Sequence, residues 1–206
     1  MGNFVTFEGI EGCGKSTQIQ LLAEWLISMG QRVVLTREPG GTELGERIRM
    51  LLKAGDVGKH FSAKAELLLF EASRAQHVEE KILPALAHGD SVLCDRFLDS
   101  STVYQGVARK IPPPDVALLN SFAAANLLPD LTIIVDITPE ESVKRLLKRG
   151  GQIDRIEGES VKFFKDVRSG YLAMAEGDPR FLVVNGDQSI SNIHGEIRRE
   201  YGARFM

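Results

Sequence analysis

A glycine-rich segment near the N-terminus constrains the fold more than any other part of this sequence. Residues 9–16 read Gly-Ile-Glu-Gly-Cys-Gly-Lys-Ser, directly after the apolar, strand-like segment 4–7. Segment 15–29 then carries apolar residues at helical spacing and ends near Gly30. A strand, a glycine-rich turn and a helix in this order are the context that a phosphate-binding loop requires. The sequence therefore predicts a turn that holds a phosphate group at the start of a helix.

The residue types in this loop suit phosphate chemistry. Glycines allow backbone turns that most residues resist, so several N–H groups can point at phosphate oxygens. Lys15 supplies a positive charge for the β- and γ-phosphates, and the Ser16 hydroxyl is the expected Mg²⁺ ligand. We expect ATP to contact the whole loop, comprising Gly9, Ile10, Glu11, Gly12, Cys13, Gly14, Lys15, Ser16 and Thr17.

Strand-like and helix-like segments alternate along the rest of the chain. Continuous apolar strands separated by helices indicate a parallel sheet that is covered on both faces. The expected fold is α/β: a three-layer P-loop NTPase fold with a central parallel sheet of about five strands flanked by helices. Without repeats or low-complexity linkers, residues 1–206 are expected to form a single domain. Further strands are expected at 32–36, 91–95, 131–137 and 180–184, and a long helix at about 63–86.

The composition narrows the classes of function. The chain has 206 residues, of which 43% are hydrophobic, enough for one domain with a full core. A net charge of −3 and a pI of about 5.9 disfavour a nucleic-acid partner, because proteins that bind phosphate backbones are usually basic. Cys13 and Cys94 lack metal-like spacing and indicate a reduced, cytoplasmic protein. No apolar run reaches the ~18 residues that cross a bilayer, so we expect no membrane partner.

Missing motifs exclude two classes of phosphate-loop protein. A GTPase would carry a guanine-binding Asn-Lys-x-Asp segment, and a transporter ATPase would carry a Leu-Ser-Gly-Gly signature. Neither segment occurs in this sequence. The short chain and a basic segment late in the sequence favour a nucleoside or nucleotide kinase. That segment could also be ordinary cations at the end of a helix that has Thr138 as its N-cap, Pro139 in its first turn and Glu141 at the position of a capping-box acid. Its residues are Lys144, Arg145, Lys148 and Arg149, before Gly150 and Gly151.

Further segments identify the family. They read Thr-Arg-Glu-Pro-Gly-Gly-Thr at 36–42, Phe-Glu-Ala-Ser-Arg at 70–74, Asp-Arg-Phe at 95–97, Ser-Ser at 100–101, Tyr-Gln-Gly at 104–106 and Asp-Arg-Ile-Glu at 154–157. In this order they closely resemble the bacterial thymidylate kinases, over nearly the whole chain. The resemblance implies transfer of the γ-phosphoryl group of ATP to the 5′-phosphate of dTMP, giving dTDP for dTTP synthesis. It also implies Mg²⁺ dependence, a homodimer and a helical lid at about 148–158.

The expected chemistry needs cations rather than a base. The acceptor is a phosphate monoester with a second pKa of about 6, so it is largely ionised at neutral pH. Catalysis should therefore consist of positioning and charge neutralisation. By resemblance, Arg96 holds the dTMP phosphate, Asp95 joins Ser16 near the metal, and the acidic Glu11 has a catalytic role. The expected catalytic residues are Lys15, Arg96, Arg155, Glu11 and Arg149.

The lid is expected to supply the last cation. The loop at 9–16 contains no arginine, whereas Arg149 and Arg155 flank Gly150 and Gly151. This distribution is similar to the bacterial pattern within the family. We expect Arg155 first, and Arg149 second, to reach the transferring phosphoryl group only when the lid closes.

The base of dTMP has its own candidate residues. By resemblance, Phe70 stacks on thymine, Arg74 on the same helix face donates to a thymine carbonyl, and Tyr104 lies beside the deoxyribose. Alternatives are core packing for Phe70, a helix N-cap for Ser100 or Ser101, and an exposed helix cation for Arg49. The dTMP candidates are Glu38, Pro39, Arg49, Phe70, Arg74, Arg96, Ser100, Ser101, Tyr104 and Gln105.

Two other functions remain open from the sequence. The nearer one is a kinase for another nucleoside monophosphate or for a deoxynucleoside. The other, from a different class, is a P-loop regulatory or nucleic-acid-dependent ATPase, which the acidic composition disfavours. The loop at 185–188, after the last expected strand, is a reasonable place for contacts with adenine.

Overall fold

A single parallel sheet organises the chain. The computed structural model describes residues 2–54, 61–150 and 154–206. The strands run in the order β2-β3-β1-β4-β5, and each expected strand is present with its ends shifted by one residue at most. The expected parallel sheet is therefore confirmed. Its strands are β1 (Phe4–Glu8), β2 (Val33–Arg37), β3 (Ser91–Asp95), β4 (Leu131–Asp136) and β5 (Phe181–Asn185).

Helices cover both faces of this sheet. Along β1, Val5 and Phe7 pack into one apolar cluster, whereas Phe4 packs into another, as the two-residue period of a strand requires. The described helices are α1 (Lys15–Ser28), α2 (Glu43–Lys53), α3 (Ala63–His77), α4 (Leu83–His88), α5 (Leu98–Ser101), α6 (Pro113–Ala123), α7 (Pro139–Arg149), α8 (Val161–Ala175) and α9 (Ile190–Phe205). Among the described residues, none of them is both long and apolar enough to cross a bilayer.

The expected long helix at 63–86 is divided. A π-helical turn, Val78–Ile82, joins α3 to α4, which carries a proline in its first turn. Pro84 has no N–H to donate and its ring crowds the preceding turn, so a locally wider helix accommodates it. A second π-helical segment, Thr102–Ala108, extends α5.

Helix α7 begins as the sequence indicates but lacks one expected contact. Thr138 caps the helix by accepting a hydrogen bond from the Glu141 N–H at 3.2 Å. The Glu141 carboxylate does not return to Thr138, however, because it binds Arg145 at 2.9 Å and Lys144 at 3.2 Å. The expected capping box is thus replaced by ion pairs along the helix.

The lid region is described in part. Residues 151–153, including Gly151, lie outside the described residues. Before them, α7 ends at Arg149, and after them residues 155–158 form turns rather than a helix.

Strand β1 lies between β3 and β4, and the chain leaves its carboxyl end through the glycine-rich loop into α1. In open parallel sheets, ligands bind in the crevice at such a point, where successive connections diverge. Glu8 ends β1 and Asp95 ends β3 at this same edge.

Candidate active site

A cavity of about 410 Å³ opens at the carboxyl edge of the sheet. It collects side chains from the glycine-rich loop, β3, the helices α2, α3 and α7, and the turns at 154–157. Most of the residues that the sequence nominates line it: Glu11, Gly12, Gly14, Lys15, Ser16, Thr17, Glu38, Pro39, Arg49, Phe70, Asp95, Arg96, Ser100, Ser101, Tyr104, Gln105 and Arg149. The nominated residues outside its lining are Gly9, Ile10, Cys13, Arg74 and Arg155.

The glycine-rich loop forms the floor at one end. Gly9 has φ 131°, and a Cβ there would lie 2.5 Å from the Val135 carbonyl oxygen, so no other residue fits without a shift. Ile10 and Cys13 are buried in the core, which leaves only their backbone for a ligand. In the described structure, no backbone N–H of residues 10–16 donates to another residue. These free donors at the start of α1 suit an anion.

Lys15 supplies the charge at this end. Its side chain is largely buried, and the ammonium donates to the carbonyl oxygens of Gly9 at 3.1 Å and Ile10 at 3.2 Å. An ammonium folded onto its own loop can turn to a phosphate without crossing the cavity.

Two oxygen-bearing side chains that could bind a metal ion, those of Ser16 and Asp95, lie next to each other at the loop. The Ser16 hydroxyl donates to an Asp95 carboxylate oxygen at 3.2 Å. Oxygen ligands of this kind suit Mg²⁺, which usually takes one or two protein oxygens together with substrate phosphates. In the described part of the chain, His, Cys, Asp and Glu form no cluster of three or more that could hold a metal alone. The pair therefore fits an ion that arrives with a nucleotide.

The middle of the cavity contains Arg96. Its left-handed backbone, φ 72°, is uncommon for a non-glycine residue and frequent at functional sites. The guanidinium donates to Glu11 at 2.8 Å and lies 5.0 Å from the ring centre of Tyr104. Tyr104 also donates to Glu11, at 2.8 Å. Glu11 thus points away from the loop amides and holds the arginine and the tyrosine together.

The positions of Arg49, Ser100 and Ser101 do not fit the alternative roles considered for them, an exposed helix cation and a helix N-cap. Arg49 is partly buried and donates to the Pro39 carbonyl at 3.0 Å, so it is not a freely exposed cation. Burial first, and the nearby Arg37 second, lower the pKa of Arg49 below the usual range for arginine. The short α5 begins after Phe97, so neither Ser100 nor Ser101 is its N-cap. Both serines line the cavity instead.

The far end of the cavity is a slot with an aromatic wall. Phe70 is half-buried and faces this slot rather than packing in an apolar core cluster. Ser101 and Gln105 line the same end. An aromatic face with two polar groups beside it has the character of a base-binding site.

Arg74 lies behind this slot, not on its surface. Its side chain is 1% exposed and does not line the cavity. It donates to Glu38 at 2.9 Å, to Glu71 and Asn120 at 2.7 Å, and to Ser101 at 3.0 Å. These bonds occupy four of its five N–H groups, so one Nη2 proton is left for a ligand. The expected contact with a thymine carbonyl stays a prediction that depends on this proton.

The two lid arginines differ in their contacts. Arg149 lines the cavity and forms a two-pronged ion pair with Glu157, both bonds 2.9 Å. Arg155 points elsewhere: it binds Glu66 at 2.6 Å and the Leu52 carbonyl at 3.1 Å. The described structure thus brings Arg149, and not Arg155, into the cavity. The expectation that Arg155 reaches the phosphoryl group after lid closure stays a prediction.

Sequence reasoning missed the carboxylate beneath Arg96. Glu8 is fully buried and accepts hydrogen bonds from the Phe97 N–H at 2.8 Å, and from the Ser100 and Tyr171 hydroxyls at 2.6 Å. Burial raises the pKa of Glu8 to about 7, although the charge of Arg96 opposes this. An acidic residue ending an otherwise apolar strand was the available signal.

Glu8 should make stability depend on pH. The folded protein retains this proton up to about pH 7, whereas the unfolded chain loses it near pH 4.5. The Glu8 contribution to the free energy of unfolding should therefore fall by about 3 kcal/mol as the pH rises through this window. Urea titrations of the wild type and of Glu8→Gln between pH 5 and pH 8 measure this effect. As the pH rises, the free energy of unfolding of the wild type should fall relative to that of the variant. A constant difference would contradict the assignment.

Comparisons with known proteins identify the family of this chain. The family model for thymidylate kinase matches residues 7–197. A thymidylate kinase of Thermoanaerobacter sp. strain X514 is 48% identical over 197 residues, 95% of each chain. One from Geotalea uraniireducens is 44% identical, covering 100% of this chain and 99% of the other. The crystal structure of thymidylate kinase from Ehrlichia chaffeensis superposes with a TM-score of 0.77 at 35% identity, covering 96% and 97% of the two chains. This chain belongs to the thymidylate kinase family.

Proposed function

We propose that this protein transfers the γ-phosphoryl group of ATP to the 5′-phosphate of dTMP, giving dTDP for dTTP synthesis. The family is one of kinases that use ATP, and its named reaction is phosphorylation of dTMP. The observation that carries the proposal is a single cavity with Lys15 at one end and Phe70 at the other. Such a cavity can hold a phosphate donor and a nucleoside monophosphate end to end.

The donor occupies the loop end. The free N–H groups of residues 10–16 and the Lys15 ammonium bind the phosphates of ATP. Ser16 and Asp95 would hold Mg²⁺, which neutralises charge on the β- and γ-phosphates when bound. Because the phosphates of ATP and of the acceptor repel each other, Lys15 and Mg²⁺ are needed to bring them together.

The acceptor occupies the rest of the cavity. Arg96 and Arg49 bind its phosphate, Phe70 stacks on the base, and Ser101 and Gln105 face the base edge. Glu38 and Pro39 close the wall beside Arg49. Glu11 accepts from the Arg96 guanidinium at 2.8 Å and is itself fixed by the Tyr104 hydroxyl, which donates to it at 2.8 Å. The acceptor phosphate therefore meets a cation that is already placed.

The transfer step uses position and charge rather than a base. The acceptor phosphate oxygen is already ionised near neutral pH, so it can attack the γ-phosphorus directly while the bond to the β-phosphate oxygen breaks. Negative charge then spreads over the transferring group. We propose that Arg149 neutralises this charge directly, since it lines the cavity, and that Arg155 organises the lid from its pair with Glu66.

The resemblance to the family also supports a homodimer, a cytoplasmic location and the absence of a nucleic-acid or membrane partner. Exposed apolar side chains of α6, Leu118 at 70% and Phe122 at 83%, are consistent with a surface that a second copy covers. Light scattering after size exclusion measures the oligomeric state directly.

Steady-state rates with a panel of acceptors test the activity. With ATP and Mg²⁺, dTMP should have the highest kcat/KM among dTMP, dUMP, dGMP, AMP and thymidine, and chelation of Mg²⁺ should abolish turnover. A higher kcat/KM for another acceptor would reassign the substrate. ATP hydrolysis that responds to DNA without formation of dTDP would instead identify a nucleic-acid-dependent ATPase.

A further inference from the structure

A buried carboxylate beneath the base end of the cavity has so far been considered only as the partner of Arg155. Glu66 lies on α3, four residues before Phe70 and hence on the same helix face, and is 3% exposed. Its Oε1 accepts from the Gln105 amide nitrogen at 2.9 Å. Its other contacts are two arginines from separate parts of the chain, Arg109 and Arg155.

The two arginines hold this carboxylate in place and keep it ionised. Arg109 donates to both oxygens, at 3.2 and 3.3 Å, and Arg155 binds Oε2 at 2.6 Å. Burial on its own would raise the pKa of Glu66, but the hydrogen bond from Gln105 and the charges of Arg109 and Arg155 outweigh burial and lower it. An ionised carboxylate can only accept hydrogen bonds.

This restriction determines which end of the Gln105 amide faces the cavity. Because Glu66 only accepts, Gln105 must turn its NH₂ group toward it. The amide oxygen then lies on the opposite side of the group. Gln105 is 2% exposed, lines the cavity, and its Oε1 accepts no hydrogen bond from any described residue. A carbonyl acceptor is therefore presented to whatever base fills the slot.

We infer that Glu66 is a positioning residue for base selection, which orients Gln105 to accept a hydrogen bond from the N3–H of a keto pyrimidine and to disfavour cytosine. The inference rests on the proposed function. Thymine carries a hydrogen on N3, which pairs with the presented oxygen. Cytosine has a lone pair at N3, so the same oxygen would face another acceptor and both would be left unpaired.

Glu66→Gln tests this directly. Residue 66 could then donate to the Gln105 oxygen, which lets the Gln105 amide rotate and present NH₂ to the base. We expect the ratio of kcat/KM for dTMP to that for dCMP to fall about tenfold, the size of one hydrogen bond. Where turnover of dCMP is too slow to measure, its inhibition constant against dTMP replaces it.

A matched control is available in the same ion cluster. Glu159 also binds Arg109, at 2.6 Å, but makes no hydrogen bond with Gln105. Glu159→Gln removes the same charge from the same arginine and should leave the dTMP to dCMP ratio unchanged. In a Gln105→Ala background, Glu66→Gln should have no further effect on that ratio.

Glu66→Asp extends the test if the glutamine variant does not fold. It keeps the charge opposite Arg109 and Arg155 but withdraws the carboxylate from Gln105, so the ratio should again fall. An equal loss with dTMP and dCMP in every folded variant of Glu66 would show a purely structural role and overturn the inference. Failure of the wild type to phosphorylate dTMP would overturn the proposed function, whereas normal wild-type activity with unchanged ratios overturns the Glu66 inference alone.

Discussion

Lys15→Met should lower kcat/KM for ATP about 10³-fold. The ammonium is the one charged donor of the glycine-rich loop, and it lies 3.1 Å from the Gly9 carbonyl oxygen, within the turn that is proposed to enclose the phosphates. A fixed donor in such a dry position is commonly worth 10²–10³ in rate, because no solvent replaces it in the transition state. Methionine keeps the length and the apolar stem of lysine, so it removes little else.

The size of this effect depends on the charge rather than on stability. Lys15 makes no ion pair in the described structure, and its ammonium donates to atoms of its own loop, namely the carbonyl oxygens of Gly9 and Ile10 and the Cys13 sulfur. We therefore expect the melting temperature of the variant to stay close to that of the wild type. Titration with ATP should show weaker binding, and single-turnover rates should show slower transfer, since the contact lies at the phosphates that react.

Lys162→Met provides a matched control. Lys162 is a surface cation of α8 whose side chain is 79% exposed and paired with Asp166. It has the same chemistry as Lys15 but no place in the cavity, so its removal should leave kcat/KM unchanged. Retention of kcat/KM within threefold in Lys15→Met would show that the loop binds phosphate through its backbone alone.

The sheet was predictable because its signal is local. Each strand is a short apolar or β-prone run, and in β1, β3 and β4 burial on both faces makes that run continuous. The strand ends could therefore be placed to within one residue. The phosphate end of the site was predictable for a similar reason, since Gly9, Gly14 and Lys15 all belong to one short loop and their spacing can be read directly from the sequence.

The directions of buried charged side chains were not predictable. Arg74 was expected on the cavity surface, but its partners Glu38, Asn120 and Ser101 come from three other segments and enclose it. Arg155 is 89 positions from Glu66, and no pattern along the chain connects the two. Such pairs depend on tertiary packing, which periodicity and motif spacing do not contain.

The lid offers the second large effect, because its two arginines can be separated by experiment. Arg149→Ala should lower kcat by about 10²–10³ with a smaller change in the KM for dTMP, since the guanidinium acts on charge that develops during transfer. In the ion pair with Glu157 the Arg149 side chain is 53% exposed and the Glu157 side chain 12%. When this pair opens, Glu157 still accepts a hydrogen bond from the Asp154 N–H at 3.2 Å. The Arg149 side chain is therefore free to turn toward a phosphoryl group in the cavity.

Arg155→Ala is the informative comparison. To reach the cavity, Arg155 would have to abandon Glu66 at 2.6 Å and the Leu52 carbonyl at 3.1 Å, and leave a buried carboxylate with one partner fewer. Separating a buried ion pair in this way costs several kcal/mol, which lid closure would have to offset. We therefore expect Arg155→Ala to lower stability and to reduce kcat less than Arg149→Ala does.

Lys148→Ala controls for the loss of a cation at the end of α7. Lys148 precedes Arg149 on the same turn, is exposed, and does not line the cavity. The Lys148→Ala variant loses one positive charge at the end of α7, as Arg149→Ala does, but should keep kcat near that of the wild type. If Arg155→Ala instead lost more kcat than Arg149→Ala, the closed lid would have to release Arg155 from Glu66. That would make the Glu66 pair the step that couples base binding to phosphoryl transfer, because Glu66 also holds Gln105.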